Sequence, residues 1–350
     1  MNMRRLGFLA VVGVAALAGS ASLVVAADVP FRSRANTPPR KIVVASALVN
    51  FSGGVDARLT LAHKLIDEAA AKAAGDYAGA GLDLMVFPEF AIARPGPTAA
   101  DQSVTLAGRV GEVVGAMARE HHTWVVMPMT LREADGARFS NAAVLFDREG
   151  KASGIYRKTH PIVDAHGVFE DGVTPGDDYP VFDCDFGRLG ILICWDMGYP
   201  EAWSALADAG AEIVALPSAS PQTLRPAASA LDHRVYVVNS APRDDASVFD
   251  PLGRTIAQVT EAPGVVVKRI DLAYAILHWN ERLNEGRAFT ERFGPRAGYD
   301  YTRREDTGIF WSNDPTTSIG DMVRALDMRE MPDVIAAVGA ATDQARAAKH

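Results

Sequence analysis

The sequence predicts an α/β protein in which two packed β-sheets carry helices on their outer faces. Three observations lead there. Long apolar, β-branched runs such as 41–50 (KIVVASALVN) and 124–131 (WVVMPMTL) read as buried strands. Alanine-rich stretches with apolar residues at helical spacing, 59–72 and 104–121, alternate with them. Antiparallel hairpins interrupt this alternation, around 147–150 (DREG) and around Phe186-Gly187-Arg188. The mixture fits neither a purely parallel doubly wound sheet nor a (β/α)8 barrel.

The elements follow in order. Residues 41–50 form a strand, 59–72 a helix, and 82–90 (LDLMVFPEF) a strand that Pro88 stops. A helix over 104–121 leads into the strand 124–131, and 141–146 pairs with 152–156. The second hairpin spans 179–196 (YPVFDCDFGRLGILICWD), followed by a helix over 201–209 and a strand over 211–218. A helix over 226–233 precedes the strand 234–241. The stretches 246–259 and 264–272 read as a last hairpin, with DPLG at 250–253 placing proline where a type I turn prefers it. Beyond Leu272 the pattern weakens: 275–320 is rich in charge, glycine and aromatics, and 318–350 reads as helix. A domain over 41–272 with an extension over 273–350 is therefore expected.

The first residues have an export layout: Arg4 and Arg5, an apolar run over 6–18, and small residues at 25–27. The segment 1–27 is read as a signal peptide, followed by a polar, proline-containing linker over 28–40. A retained anchor is the alternative, because 6–27 is just long enough to span a bilayer. The expected location is periplasmic or secreted, with membrane contact only through this segment.

Acidic residues outnumber basic ones, 43 to 35, and no basic cluster is present, which argues against a nucleic-acid partner. Only two cysteines, Cys184 and Cys194, occur, so no disulfide framework stabilises the fold. A 184–194 bridge is conceivable across the FGR turn, but it would consume a thiolate nucleophile. GxSxG, GxxxxGK[ST], GxGxxG, HExxH and CxxC patterns are all missing. The eight histidines are scattered, and the adjacent pair His121-His122 cannot face one ion as an i, i+4 pair does. No metal site and no organic cofactor is expected.

Three positions could carry chemistry. Glu89 (VFPEF) ends a buried apolar strand, where a carboxylate is costly unless paired. Lys158 (YRKTHP) follows a strand, and Cys194 (ILICWDMGYPE) lies between an apolar strand and a helix, where α/β proteins place reactive groups. Each alone has an ordinary reading: a loop acid, a surface lysine, an inert core thiol.

In this order, VFPEF, YRKTHP and ILICWDMGYPE resemble the Glu, Lys and Cys blocks of the nitrilase (carbon–nitrogen hydrolase) superfamily. FEDGVTPGDDYPVF resembles the segment carrying that family's second glutamate, here Glu170. DHRVYVVNSA and SVFDPLGRTIA resemble its closing strands, so the likeness runs from Lys41 to Leu272. The resemblance implies a four-layer α-β-β-α sandwich and a homodimer or larger homo-oligomer. It implies Cys194 as nucleophile, Glu89 as general base, Lys158 as the positive charge beside both thiolate and oxyanion, and Glu170 as its support. The Trp195 N–H would be a second oxyanion donor. The implied reaction is hydrolysis of a small-molecule amide or N-carbamoyl compound through a thioester, without metal or cofactor.

The family's true nitrilases tend to carry Glu where Asp196 stands here, so the Cys block is closer to amidase and carbamoylase branches. Nitrile hydrolysis and a non-catalytic binding role on the same scaffold are the alternatives. Met197-Gly198-Tyr199 and PSASPQTLRP (217–226) depart from the carbamoyl-polyamine hydrolases, which implies a different pocket. Phe90, Trp195, Tyr199 and the loop from Ser218 to Leu224 are its expected lining.

Overall fold

The computed structural model describes residues 34–348; the segment read as a signal peptide lies outside them. The elements of the first half are β1 (Lys41–Leu48), α1 (Val55–Asp76), β2 (Leu84–Val86), α2 (Ala99–Gln102), α3 (Arg109–Glu120), β3 (Trp124–Arg132), β4 (Phe139–Phe146) and β5 (Ala152–Arg157). Then come β6 (Val181–Cys184), β7 (Gly187–Ile191), α4 (Pro200–Asp208), β8 (Ile213–Pro217), α5 (Leu224–His233), β9 (Tyr236–Ser240), β10 (Ala246–Phe249), β11 (Thr255–Val259) and β12 (Gly264–Asp271). The C-terminal part adds β13 (Tyr274–His278), α6 (Arg287–Phe293), β14 (Ala297–Thr302), β15 (Thr307–Ser312), α7 (Ile319–Ala325) and α8 (Met331–Ala347).

Two six-stranded sheets form the body, ordered β12-β1-β2-β3-β4-β5 and β11-β10-β9-β8-β7-β6. Each has a parallel centre, β1-β2-β3 and β7-β8-β9, flanked by antiparallel strands. Strand period 2 explains why the central strands are apolar throughout. In β1, Ile42 and Val44 face the other sheet, packing with Leu189, Ile191, Val214 and Val237. Their neighbours Val43, Ala45 and Ala47 face α1 and α3, meeting Leu59, Ile66, Val114 and Met117. The second sheet is covered by α4 and α5. There Gly190 lets α4 approach, since a Cβ would stand 2.8 Å from Leu206. The result is helix, sheet, sheet, helix. Hydrogen bonds also tie the sheets: the Ser46 hydroxyl donates to Asn239 O and the Ser240 hydroxyl to Ala47 O, both at 2.6 Å.

Several expectations need correction. β11 and β12 do not form a hairpin together: β10 and β11 close the second sheet, while β12 crosses to pair antiparallel with β1. The helix expected from 104 starts at Arg109, because Gly108 adopts φ +98° ahead of it. The C-terminal stretch read as one helix is two, α7 and α8. Residues beyond Leu272 hold a third sheet, β13-β15-β14, that strand periodicity did not reveal. Its Tyr274, Ile276 and Ile309 join the inter-sheet core, while Leu277, Phe289, Phe310 and Met322 form a core of their own with α6 and α7.

The described part of the segment read as linker is tied down. Arg40 pairs through both terminal nitrogens with Glu212, and Arg34 Nη2 donates to Ala211 O at 2.6 Å. Among the described residues, no helix is long and apolar enough to cross a membrane.

Candidate active site

The site lies where loops leave both large sheets. Glu89 follows β2, a parallel strand that Pro88 terminates, and Cys194 follows β7, also parallel to its neighbour. Such strand ends gather loops from adjacent units, so chemistry collects there. Lys158 follows β5 and Asn141 lies in β4, both on the Glu89 side.

Lys158 is fully buried, with 1% of its side chain exposed. Its Nζ donates to Glu89 Oε1 at 2.8 Å and to Glu170 Oε1 at 2.7 Å. Asn141 Nδ2 bridges the same two oxygens, at 2.7 and 3.1 Å. The other oxygen of Glu89 accepts the Ala219 N–H at 2.9 Å, a bond that joins the two sheets. A buried ammonium is tolerable only with such partners. Burial pulls the lysine pKa down, but Glu89 and Glu170 outweigh it and hold Lys158 charged, above the usual lysine range. Two of its three N–H groups are engaged, which leaves the third for a ligand.

Cys194 is buried at 7% exposure and opens a 3-10 turn over Cys194–Gly198. Its φ is +48°, a left-handed value that costs a non-glycine residue about 1–3 kcal/mol. The strain aims the side chain off the strand end, toward the groups at the mouth of both sheets. Burial and the Glu89 carboxylate push its thiol up to about 11, outweighing Ser218, Lys158 and the Ala219 N–H, which favour the thiolate. Lys158 does favour the thiolate, as its charge implies, but burial and Glu89 outweigh it. Two carboxylates already spend its charge. Burial and the Glu89 carboxylate thus favour the protonated thiol of Cys194. Cys184 and Cys194 are both free thiols, without a bridge.

Behind Cys194 sits Asp196, fully buried. Its Oδ2 accepts from Tyr156 Oη at 2.7 Å and from the Ile193 N–H at 3.0 Å. Its Oδ1 accepts from Thr159 Oγ1 at 3.1 Å and from the His160 N–H at 2.8 Å. One carboxylate therefore clamps the cysteine turn to the segment that follows Lys158. The sequence offered Asp196 only as a mark of branch. The structure makes it a brace. Asn141 was missed altogether; its one visible signal is an amide at the head of an otherwise apolar strand.

The expected lining residues part ways. Trp195 and Tyr199 border a cleft of about 350 Å³ with Met197, Gly198, Gln222 and Arg225. Tyr199 is held by stacking on His160, ring centroids 3.4 Å apart. Ser218 lies against the thiol rather than in that cleft. Phe90 is in the left-handed region at φ +57°, its carbonyl bonded by Arg58 Nη1 at 2.9 Å, and it does not line the cleft. Gln222, from the loop starting at Ser218, borders the cleft, as does Arg225 in the first turn of α5.

Comparison with known proteins bears on the family and the fold. Residues 46–277 match the family model for carbon–nitrogen hydrolase. Omega-amidase NIT2-B of Xenopus laevis is 30% identical over 243 residues, 62% of this chain and 83% of that protein. Deaminated glutathione amidase of Homo sapiens is 30% identical over 203 residues, 49% of this chain and 61% of that protein. Among solved structures, Saccharomyces cerevisiae Nit3, a member of branch 10 of the nitrilase superfamily, shares the fold with a TM-score of 0.56 at 22% identity, over 66% of this chain and 90% of that one.

Proposed function

We propose that this chain, which belongs to the carbon–nitrogen hydrolase family and is an amidase-like hydrolase of small-molecule amides, works through a thioester on Cys194. The observation that carries the proposal is the buried Lys158 clamped between Glu89 and Glu170 beside a strained, protonated cysteine.

In the first half-reaction the Cys194 sulfur attacks the amide carbon as Glu89 takes the thiol proton. The carbonyl oxygen gains the negative charge. The third Lys158 N–H and the Trp195 N–H receive it; one such donor contributes about 3–4 kcal/mol to the transition state. The C–N bond breaks as Glu89 passes its proton to the leaving nitrogen, and ammonia or an amine departs. In the second half a water gives a proton to Glu89 and attacks the thioester carbon. The C–S bond breaks, the acid leaves and the proton returns to sulfur. Glu170 and Asn141 hold Lys158 and Glu89 in place throughout, as positioning residues.

The substrate reading favours a terminal amide on a molecule that also bears a carboxylate. Arg225 borders the cleft and, among the described residues, donates a hydrogen bond only to Gly198 O, at 3.3 Å, which supports an anionic partner there. The amidase names of the relatives support the same class. Matched amide, N-carbamoyl and nitrile panels test it. Release of ammonia from ω-amides, with an acyl adduct on Cys194 in the intact-mass spectrum, is expected. Nitrile turnover without amide turnover, or activity persisting in Cys194→Ala, overturns the reading. Export and homo-oligomer assembly belong to the same proposal. The α8 face around Ile335 and Val338, exposed at 57% and 60%, supports a subunit contact. Light scattering and N-terminal sequencing of the secreted form check the two points.

A further inference from the structure

Far from the catalytic cluster in the fold, the helix layer over the first sheet gathers four metal-ligating side chains. His63 and Asp67 stand one turn apart on α1, the i, i+4 relation that puts two groups on one face. Glu120 is the last residue of α3 and His121 its C-cap. The two helices share the apolar layer that includes Ile66, Val114 and Met117. Their packing brings one donor atom from each of the four residues within 4.8 Å of the others. His63 Nε2 is 3.0 Å from Glu120 Oε2 and 3.8 Å from Asp67 Oδ1, while His121 Nε2 is 2.8 Å from Asp67 Oδ1. The imidazoles meet edge to face, centroids 6.2 Å apart.

We propose that His63, Asp67, Glu120 and His121 form a binding site for a divalent first-row transition metal, zinc foremost, that staples α1 to α3. Zinc bonds of about 2.0–2.2 Å to nitrogen and oxygen set tetrahedral donors roughly 3.3–3.6 Å apart. The spacings of 2.8, 3.0 and 3.8 Å straddle that value, so closure on an ion needs shifts of a few tenths of an ångström. Two imidazoles exclude a calcium- or magnesium-type site, which takes oxygen donors. Two carboxylates balance the ion's double charge. Each ring binds through a lone pair on Nε2, keeping its proton on Nδ1, so neutral rings release none. The four residues come from two loci too far apart in sequence for a spacing motif. His121 is paired not with its neighbour His122 but with a helix more than fifty residues earlier.

The site is separate from the chemistry. α1 and α3 cover the outer face of the first sheet, whereas Glu89, Lys158 and Cys194 sit at the mouth between the sheets. The experiment uses the full chain, freed of any affinity tag and stripped with chelator. Zinc chloride titrated by calorimetry should give one equivalent, retained after desalting by elemental analysis, and raise the thermal midpoint. Magnesium or calcium chloride at the same concentration should not. Cobalt(II) should give the intense visible bands of a four-coordinate nitrogen–oxygen site. His63→Ala and, separately, Asp67→Asn should loosen zinc at least a hundredfold and abolish the midpoint rise. Both should leave the metal-free midpoint and the amidase rate within twofold of the parent. No retained equivalent in the parent, or a retained equivalent in both variants, overturns the proposal.

Discussion

Two clusters of four polar side chains among the described residues differ chiefly in their access to water. At the proposed catalytic centre Glu89, Lys158, Glu170 and Asn141 share oxygen atoms in a water-poor setting, with the lysine and Glu89 side chains 1% exposed. On the helix layer His63, Asp67, Glu120 and His121 make equally short contacts, but the side chains of His63, Asp67 and Glu120 are 40–57% exposed. Distances alone would rank them together. Burial separates them: in the first, every charge needs its partner, because desolvation is not offset otherwise. In the second, solvent screens each pair, and the contacts themselves contribute little. A short contact is therefore a statement about chemistry only when the surrounding dielectric is known.

Perturbing each cluster sharpens or breaks this contrast. The largest effect is expected for Lys158→Met, which strands Glu89 and Glu170. Turnover should fall by at least ~10³-fold, and urea unfolding should show a loss of about 3–5 kcal/mol. A loss below 1 kcal/mol would place the centre in the same class as the surface cluster. Asp196→Asn comes next. An amide cannot accept from four donors, so the cysteine turn and the Lys158 segment lose their common brace. kcat should drop about 10²-fold with KM little changed, in steady-state assays.

The pH dependence of stability is smaller and has a definite sign. Both cysteines have folded values raised above the ordinary 9.0, Cys194 to about 11 and Cys184 to about 12, burial being the main cause in each. A raised folded value favours the protonated thiol, so the contribution is complete below about pH 9 and is lost as pH climbs toward 11. Denaturation at pH 8 and pH 10 should show that decline, and Cys194→Ser should reduce it. Alkylation of Cys194 in the resting enzyme should speed up about tenfold per pH unit across the same window. Flat alkylation rates would mean a thiolate already formed. The smallest effect is expected for His63→Gln in metal-free protein: under about 1 kcal/mol by thermal melting, because the pair it breaks is screened.

Much of the body was legible because the strands are buried on both faces. Continuous runs such as KIVVASALVN admit little else, and period 2 then assigns Val43 to the helices and Val44 to the facing sheet. Glu89, Lys158, Glu170 and Cys194 were legible only as an ordered set. Other features depend on contacts between distant segments, which no local pattern encodes. The third sheet reads poorly because its strands mix Tyr299, Asp300 and Trp311 with glycine and lean on α6 and α7 for burial. The braces Asn141 and Asp196 acquire meaning only once β4 and the cysteine turn stand beside the Lys158 segment. The left-handed position at Cys194 holds neither glycine nor asparagine to announce it.

The bond from the Ala219 N–H to Glu89 Oε2 has a mechanical consequence. Cys194 and Glu89, the proposed nucleophile and base, ride on different sheets, held in alignment by that link, by the Asp196 brace and by the serine ties between β1 and β9. The sheets act as two plates whose relative slip is read out directly as catalytic misalignment. On the proposed mechanism, about an ångström of shear would cost roughly 10²-fold in rate while both plates remain folded.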